Sequence, residues 1–127
     1  MAQRRSSTEL RGVIETVDPI WQAVRTEAEA AMQAEPGLGS FIFATILAHD
    51  TLEDAICHRL ARRLDNADVD VQLISRLFSN VLARDPNLGT VFRADLAAVR
   101  DRDPACTRYI EPLLYFKGFH ALSTYRL

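Results

Sequence analysis

Three Asp-Pro pairs divide this chain into short segments, and they limit the fold more than any other feature of the sequence. An aspartate that caps a helix, followed by proline at the first helical position, is a typical helix start, because the carboxylate accepts a free backbone N–H and proline has none to offer. We therefore predict a helix start at each pair, with Asp103 as an N-cap. The pairs are Asp18-Pro19, Asp85-Pro86 and Asp103-Pro104.

Apolar residues recur at helical spacing between these boundaries. One row follows residues 50–53, which have the spacing of a capping box, and a short apolar helix is expected from Phe41 to about His49. No stretch alternates with a period of two, so the sequence predicts an all-α fold of about seven helices. The periodic positions are Ile20, Trp21, Val24, Ala28 and Ala31; Leu52, Ile56, Leu60 and Leu64; Leu73, Ile74, Leu77, Phe78, Val81 and Leu82; and Leu88, Val91, Phe92, Leu96 and Val99.

The last segment, from Leu113 onward, is apolar around the whole helical wheel rather than along one stripe. Such a helix is expected to be buried on most sides, by its own domain and by a partner subunit or a further domain. It has no C-cap glycine and no trailing proline. We therefore expect a homo-oligomer, and a chain that is a fragment of a longer protein.

Size and charge exclude several classes of protein. The 127 residues suit one domain, which we assign to residues 11–127, with a flexible tail at 1–10. The net charge of −2 and the lack of a one-sided basic helix argue against nucleic-acid binding. No apolar run is long enough for a membrane span or a secretory signal. Cys57 and Cys106 are not in a paired motif, so a cytoplasmic protein with reduced cysteines is expected.

The sequence contains no complete catalytic, cofactor-binding or metal-binding motif. There is no GxSxG, P-loop, HExxH or GxGxxG pattern. His49, His58 and His120 are far apart, and Cys57-His58 is too short a set for zinc, which needs three or four ligands. For the histidines we favour capping or packing roles.

The densest polar chemistry lies between Arg93 and Arg108. Asp95 shares a helical row with apolar residues, so it should lie at the edge of the buried face, where it needs a partner such as an arginine. The carboxylates of this stretch can belong to a functional site or to ordinary surface ion pairs, and the sequence leaves both open. The roles of Arg100 and Arg102 are equally open.

Residues 98–106, Ala-Val-Arg-Asp-Arg-Asp-Pro-Ala-Cys, and residues 112–126, Pro-Leu-Leu-Tyr-Phe-Lys-Gly-Phe-His-Ala-Leu-Ser-Thr-Tyr-Arg, form a specific pattern. It resembles the end of the N-terminal helical domain of bacterial serine O-acetyltransferases. Weaker support comes from Trp21, Glu35-Pro36 and the segment from Ser40 to His49. The resemblance covers residues 15–127.

This resemblance implies an enzyme that transfers acetyl from acetyl-CoA to L-serine, giving O-acetyl-L-serine and CoA in cysteine biosynthesis, with L-cysteine as a feedback inhibitor. It implies that Asp103 lies in the serine/cysteine pocket and holds the ammonium group. It also implies hexamers, in which helical domains pair two trimers. Asp95 is expected to be structural support, and His120 is expected to pack in the connecting helix.

The rest of the machinery belongs, by the same resemblance, to a left-handed β-helix of hexapeptide repeats that is absent from this chain. The β-helix supplies the catalytic histidine and the CoA site, so no catalytic or cofactor-binding residue is assigned here, and the chain alone is expected to be inactive. Cysteine synthase is expected to need a C-terminal tail that is also absent. The alternative that the sequence leaves open is a non-catalytic helical module for oligomerisation or protein interaction.

Overall fold

The computed structural model describes residues 18–65 and 70–127. All of the regular elements in these ranges are helical, which agrees with the all-α prediction. The predicted tail at 1–10, the start of the domain at residue 11 and most of the polar break before Asp70 lie outside the described residues. The helices of the described part are α1 (Pro19–Ala34), α2 (Gly39–Ile42), α3 (Leu52–Leu64), α4 (Val71–Arg84), α5 (Leu88–Arg102), α6 (Ile110–Tyr115) and α7 (Lys117–Arg126).

Side-chain caps start several of these helices. The Asp18 carboxylate accepts a hydrogen bond from the Trp21 backbone N–H at 3.3 Å, with Pro19 at the first position of α1, as predicted. The capping position before α3 is one residue later than the sequence indicated: the Thr51 hydroxyl, not Asp50, accepts from the Asp54 N–H at 3.1 Å. Either residue type caps well, so sequence alone does not separate them.

The apolar segment between α1 and α3 is not the regular helix that we predicted from Phe41 to His49. It begins with a 3₁₀ turn at Pro36–Leu38, continues as α2 and widens into a π turn at Phe43–Leu47. The Ala48 N–H donates to the Phe43 carbonyl at 2.8 Å, the longer spacing of a π turn. The wider turn still leaves Thr45 and Ile46 buried.

Helix α3 lies at the centre of the fold, in contact with α4, α5, α6, α7 and the π turn. Leu52, Ile56 and Leu60 are almost fully buried, but Leu64, the fourth member of the predicted row, is 42% exposed. A row of every fourth residue rotates about 40° per step around a helix, so its last member turns away from the core. Phe92 and Leu96 of α5 are fully buried on the same core.

The C-terminal segment is two helices rather than the single one that we predicted. Phe116 has extended backbone angles, φ −79° and ψ 110°, and separates α6 from α7. Leu113 and Leu114 face the core from α6 and Phe119 does so from α7. The apolar residues surround a continuous helical wheel because two short helices use different faces.

Arg93 joins the starts of three helices. Its guanidinium forms a two-pronged pair with Asp18, at 3.1 and 2.6 Å, and its Nη2 also donates to Glu53 at 2.9 Å. Its Nη1 donates to the Gly89 carbonyl at 2.8 Å. A Cβ at Gly89 would collide with the Glu53 carboxylate, so a larger residue there would push this side chain away from its present position beside Arg93. The network fixes α1, α3 and α5 at one point.

The charge of Arg93 also changes the acidity of Asp18. Burial alone would raise the pKa of the Asp18 carboxyl, but the hydrogen bond and the charge of Arg93 outweigh it and hold the pKa below its ordinary value of 3.8. A carboxylate with a lowered pKa in the folded state stabilises the fold above its unfolded pKa, and this stabilisation is lost as pH falls through the folded pKa.

We predict that Arg93→Met lowers the free energy of unfolding by about 2–3 kcal/mol, since it removes charge-assisted hydrogen bonds and leaves two carboxylates unpaired. Urea unfolding followed by circular dichroism measures this. Arg76→Met, at an exposed position of α4, is the matched control and should change stability by less than about 0.5 kcal/mol. Equal effects of the two substitutions would contradict the bridging role of Arg93.

We predict that Asp18→Asn, which keeps a capping oxygen but removes the charge, destabilises the chain at pH 6. The gap between Asp18→Asn and the unchanged chain should begin to narrow as pH falls below the unfolded pKa of about 4, and should close below the lowered folded pKa, where Asp18 is protonated in both states of the unchanged chain. Unfolding curves measured from pH 6 to pH 2.5 test this. A gap that stays constant over that range would mean that the Asp18 charge contributes no stability.

Candidate functional site

A groove of about 650 Å³ runs between the C-terminal half of α5 and helix α7. It carries both signs of charge and an apolar floor. It brings together two of the aspartates that the sequence singled out, with arginines from both helices. The lining residues are Asp95, Ala98, Val99, Arg102, Asp103, Pro104, Leu122 and Arg126.

Asp103 ends α5 instead of starting a helix, so its predicted N-cap role is wrong. Its backbone N–H donates to the Val99 carbonyl at 3.0 Å, the last hydrogen bond of α5. Its carboxylate Oδ1 accepts from the Ala105 N–H at 2.9 Å, and its carbonyl accepts from the Cys106 N–H at 2.9 Å. The aspartate closes a tight turn, and α6 begins only at Ile110.

The second carboxylate oxygen of Asp103 has no hydrogen-bond partner within residues 18–65 and 70–127. Asp103 lies at the C-terminal end of α5, which is 15 residues long and carries partial negative charge at that end. A carboxylate and exposed helix carbonyls together attract a cation with N–H donors. The end of α5 is therefore suited to an ammonium group at the mouth of the groove.

Asp95 has the arginine partner that its position demanded. Arg126 of α7 donates to both of its oxygens, at 3.1 and 3.2 Å. The Asp95 side chain is 13% exposed and that of Arg126 is 38% exposed. The hydrogen bond to Asp95 raises the pKa of the Arg126 guanidinium. This two-pronged pair holds α7 against α5 and forms one wall of the groove.

Arg100, Arg102 and Arg108 lie in different surroundings. Arg102 lines the groove, whereas Arg100 lies over the ring of Tyr109, 4.5 Å from its centroid. Arg108 pairs with Glu111 at 3.9 Å, one helical turn along the chain. Of the three, Arg102 alone shares the groove with Asp103.

Glu27 supports the site from a distance and has no signal in the sequence. Its carboxylate accepts from the Tyr109 N–H at 3.0 Å, across 82 residues, and so caps the start of α6. Burial raises the pKa of Glu27, against the opposing effect of the hydrogen bonds from Ile110 and Tyr109. Glu27 of α1 therefore fixes the path of the backbone between Asp103 and the start of α6.

His120 lies on the opposite side of α7, away from Asp103. It is 4% exposed, and its Nε2 donates to the Leu113 carbonyl at 2.7 Å across the break between α6 and α7. Burial lowers the pKa of His120, which favours the neutral form of the ring. It lines a second groove of about 450 Å³ with Arg63 and Lys117. Its contacts are those of a residue that joins two helices.

The remaining candidate residues do not form a reactive centre. The rings of His49 and His58 lie 4.7 Å apart, but no group of three metal-ligating side chains occurs in the described ranges. Burial, with the nearby charges of Asp54 and Glu53, raises the pKa of the Cys57 thiol to about 12, so it stays protonated. Cys57 and Cys106 are both buried and unpaired.

None of the helices described here has the length and apolar character that crossing a membrane requires.

Comparison with known proteins gives one consistent family. Residues 20–124 match the family described as serine acetyltransferase, N-terminal. Serine acetyltransferase 2 of Arabidopsis thaliana is 44% identical over 110 residues, which cover 87% of this chain and 34% of that protein. The chain therefore spans about a third of the length of the plant relatives that it matches.

Several solved structures are similar to this chain both in their helical fold and in their sequence. The serine acetyltransferase of Brucella abortus strain S19, in complex with coenzyme A, superimposes with a TM-score of 0.85 at 46% identity, over 89% of this chain and 45% of that one. The Neisseria gonorrhoeae enzyme in complex with serine gives 0.81 at 39% identity, over 84% and 44%. A serine acetyltransferase in complex with cysteine gives 0.82 at 36%, over 84% and 42%.

Proposed function

Because this chain belongs to the serine acetyltransferase N-terminal family, we propose that it is the helical part of an enzyme that acetylates L-serine with acetyl-CoA. The chain would contribute one wall of the amino-acid pocket and a surface for self-association. The observation that carries this proposal is the position of Asp103 in the Arg-Asp-Pro-Ala step, at the end of α5 and in the lining of a groove.

Asp103 is proposed to bind the ammonium group of serine, and of the inhibitor cysteine. One carboxylate oxygen is held by the Ala105 N–H, which fixes the direction of the other. The end of α5 adds partial negative charge beside it. An ammonium has three N–H donors, so it can use the free oxygen and the nearby helix carbonyls together.

The acetyl transfer itself is assigned to residues outside this chain. The serine hydroxyl oxygen attacks the thioester carbonyl carbon of acetyl-CoA, the new C–O bond forms and the C–S bond breaks. The hydroxyl proton passes to a base and then to the departing CoA thiolate. By family resemblance, the base is a histidine of the β-helix. The β-helix also binds CoA. The role proposed for Asp103 is to bind and orient the amino acid.

The cellular setting of the proposal follows from the family and from the cysteines. Two buried, unpaired thiols are typical of a reducing compartment, and we place the enzyme in the cytoplasm. Its product would enter cysteine biosynthesis, and cysteine binding at the serine pocket would give feedback inhibition. A tail that binds cysteine synthase would lie outside these residues.

In the longer protein that contains this chain, we predict that Asp103→Asn raises the KM for serine about 10- to 100-fold. This is the loss expected when a charge-assisted hydrogen bond is removed from a ground-state contact, and kcat should change less. Asparagine can still accept from the Ala105 N–H, so the turn should survive. Steady-state kinetics with both substrates measure the effect, and the KM for acetyl-CoA should stay unchanged.

Asp101→Asn is the matched control, because Asp101 is an exposed aspartate in the last turn of α5, outside the groove. It should leave the KM for serine within about two-fold of the unchanged enzyme. If Asp103→Asn leaves both serine KM and cysteine inhibition unchanged, Asp103 is not the ammonium ligand and this part of the proposal fails.

We also predict that the 127-residue chain alone does not acetylate serine, because it lacks the assigned base and CoA site. A thiol-release assay with acetyl-CoA and serine should give no turnover above a serine-free control, while the longer protein is active under the same conditions. Serine-dependent release of CoA by the purified short chain would show that catalytic residues lie within these 127 positions.

A further inference from the structure

The groove beside His120, between the end of α3 and helix α7, holds positive charge without a carboxylate in its lining. Its volume is about 450 Å³. Arg63 and Lys117 are exposed, and neither forms an ion pair with a residue in 18–65 or 70–127. Two cations that share a cavity and have no counter-charge attract an anion. The lining residues are Leu60, Arg63, Leu64, Lys117, His120, Ala121 and Thr124.

Helix α7 adds to this positive field. It begins at Lys117, is 10 residues long and has no side-chain cap at its start. The backbone N–H groups in the first turn of an uncapped helix carry partial positive charge. The start of α7 therefore favours the same kind of ligand as the two side chains do.

His120 has an unmet hydrogen-bonding atom at this groove. The residue is 4% exposed, and its Nε2 is bonded to the Leu113 carbonyl, whereas its Nδ1 is buried without a hydrogen-bond partner. In the described part of the chain, the Ser123 hydroxyl is the one other buried side-chain group of this kind, and it does not line the groove. Buried polar atoms are nearly always hydrogen-bonded in native proteins, so Nδ1 marks a place where a ligand group is expected.

The hydrogen bond to Leu113 decides what that ligand group must be. A carbonyl oxygen can only accept, so Nε2 carries a proton. Burial, together with the charges of Arg59 and Arg63, lowers the pKa of His120 against the opposing effect of the Leu113 hydrogen bond. In the neutral ring that this favours, Nδ1 has a lone pair and accepts. The groove therefore suits an anion that also has an O–H to donate.

We propose that this groove is a binding site for inorganic phosphate, in the form of hydrogen phosphate. Its unprotonated oxygens would accept from the Arg63 guanidinium and the Lys117 ammonium, and its O–H would donate to Nδ1 of His120. Sulfate is similar in charge and shape but has no proton to donate. A phosphate monoester loses its O–H above a pKa of about 6. Free phosphate is the oxyanion that satisfies all three groups near neutral pH.

Phosphate in this position links two helices, because Arg63 belongs to α3 while Lys117 and His120 belong to α7. The site shares no lining residue with the groove that contains Asp103. Phosphate binding therefore neither requires nor tests the role proposed for Asp103, and serine kinetics of the longer protein test that role separately.

Calorimetric titration of the full 127-residue chain at pH 8 tests the site with three ligands, which are inorganic phosphate, sulfate and methyl phosphate. Ionic strength is held constant, because salt screens exposed charges. We expect phosphate to bind about ten-fold more tightly than either of the others, since neither of them can donate to Nδ1. No binding of phosphate, or equal binding of the three anions, would overturn the proposal.

Substitution of the two cations tests their part. Arg63→Gln and Lys117→Gln should each weaken phosphate binding about five-fold or more, because each removes a charge-assisted hydrogen bond. Arg62→Gln is the matched control, since Arg62 is the neighbouring exposed arginine of α3 and lies outside the groove. It should leave the dissociation constant within about two-fold. Equal losses for Arg62→Gln and Arg63→Gln would mean that phosphate responds only to general surface charge.

His120 provides a readout that surface charge does not move. His120→Gln keeps an N–H for the Leu113 carbonyl but has no acceptor at the place of Nδ1, so this variant should bind phosphate and sulfate equally. In the unchanged chain, the nitrogen NMR resonance of Nδ1 should shift when phosphate is added and should not shift with sulfate. The NMR measurement needs no substitution, so it decides the matter even if His120→Gln does not fold. An Nδ1 resonance that ignores saturating phosphate would overturn the site.

Discussion

The guanidinium of Arg93 is the contact on which the arrangement of the helices depends. It donates hydrogen bonds to both carboxylate oxygens of Asp18 at the start of α1, to one oxygen of Glu53 at the start of α3, and to the Gly89 carbonyl within α5. Asp103 ends the same helix, about 15 Å further along its axis. Because α5 is a rigid rod fixed at Arg93, the position of the Asp103 carboxylate relative to the core is set by a contact two-thirds of the helix away.

The groove is completed by contacts between distant parts of the sequence. The pair of Asp95 with Arg126 holds α7 beside α5, and Glu27 of α1 caps the start of α6. Each links the Asp103 turn to a different element. The carboxylate that we assign to substrate is therefore not a flexible surface group, although it lies at the rim of the fold. Preorganisation of this kind reduces the cost of binding a small ligand.

The sequence predicted the helices well and their ends less well, for a physical reason that the Asp-Pro pairs make clear. Asp18 caps the helix that follows it, Asp85 forms a turn before a helix that begins at Leu88, and Asp103 ends the helix before it. In each case the carboxylate accepts a backbone N–H two or three residues ahead. That local hydrogen bond is the same whether or not a helix follows, so packing decides the outcome. Asp95 could be assigned an arginine partner from its burial pattern, but not Arg126, 31 residues away. The bridging role of Arg93 spans 75 residues, and nothing local distinguishes it from a solvated arginine.

The most direct test of the account is a crystal structure of the longer protein with L-serine bound. We predict that the ammonium nitrogen lies about 2.7–3.2 Å from the Asp103 oxygen that does not accept from Ala105, within the groove between α5 and α7. The hydroxyl should point away from α5. Serine bound with its ammonium on another carboxylate, and with Asp103 facing solvent, would contradict the account.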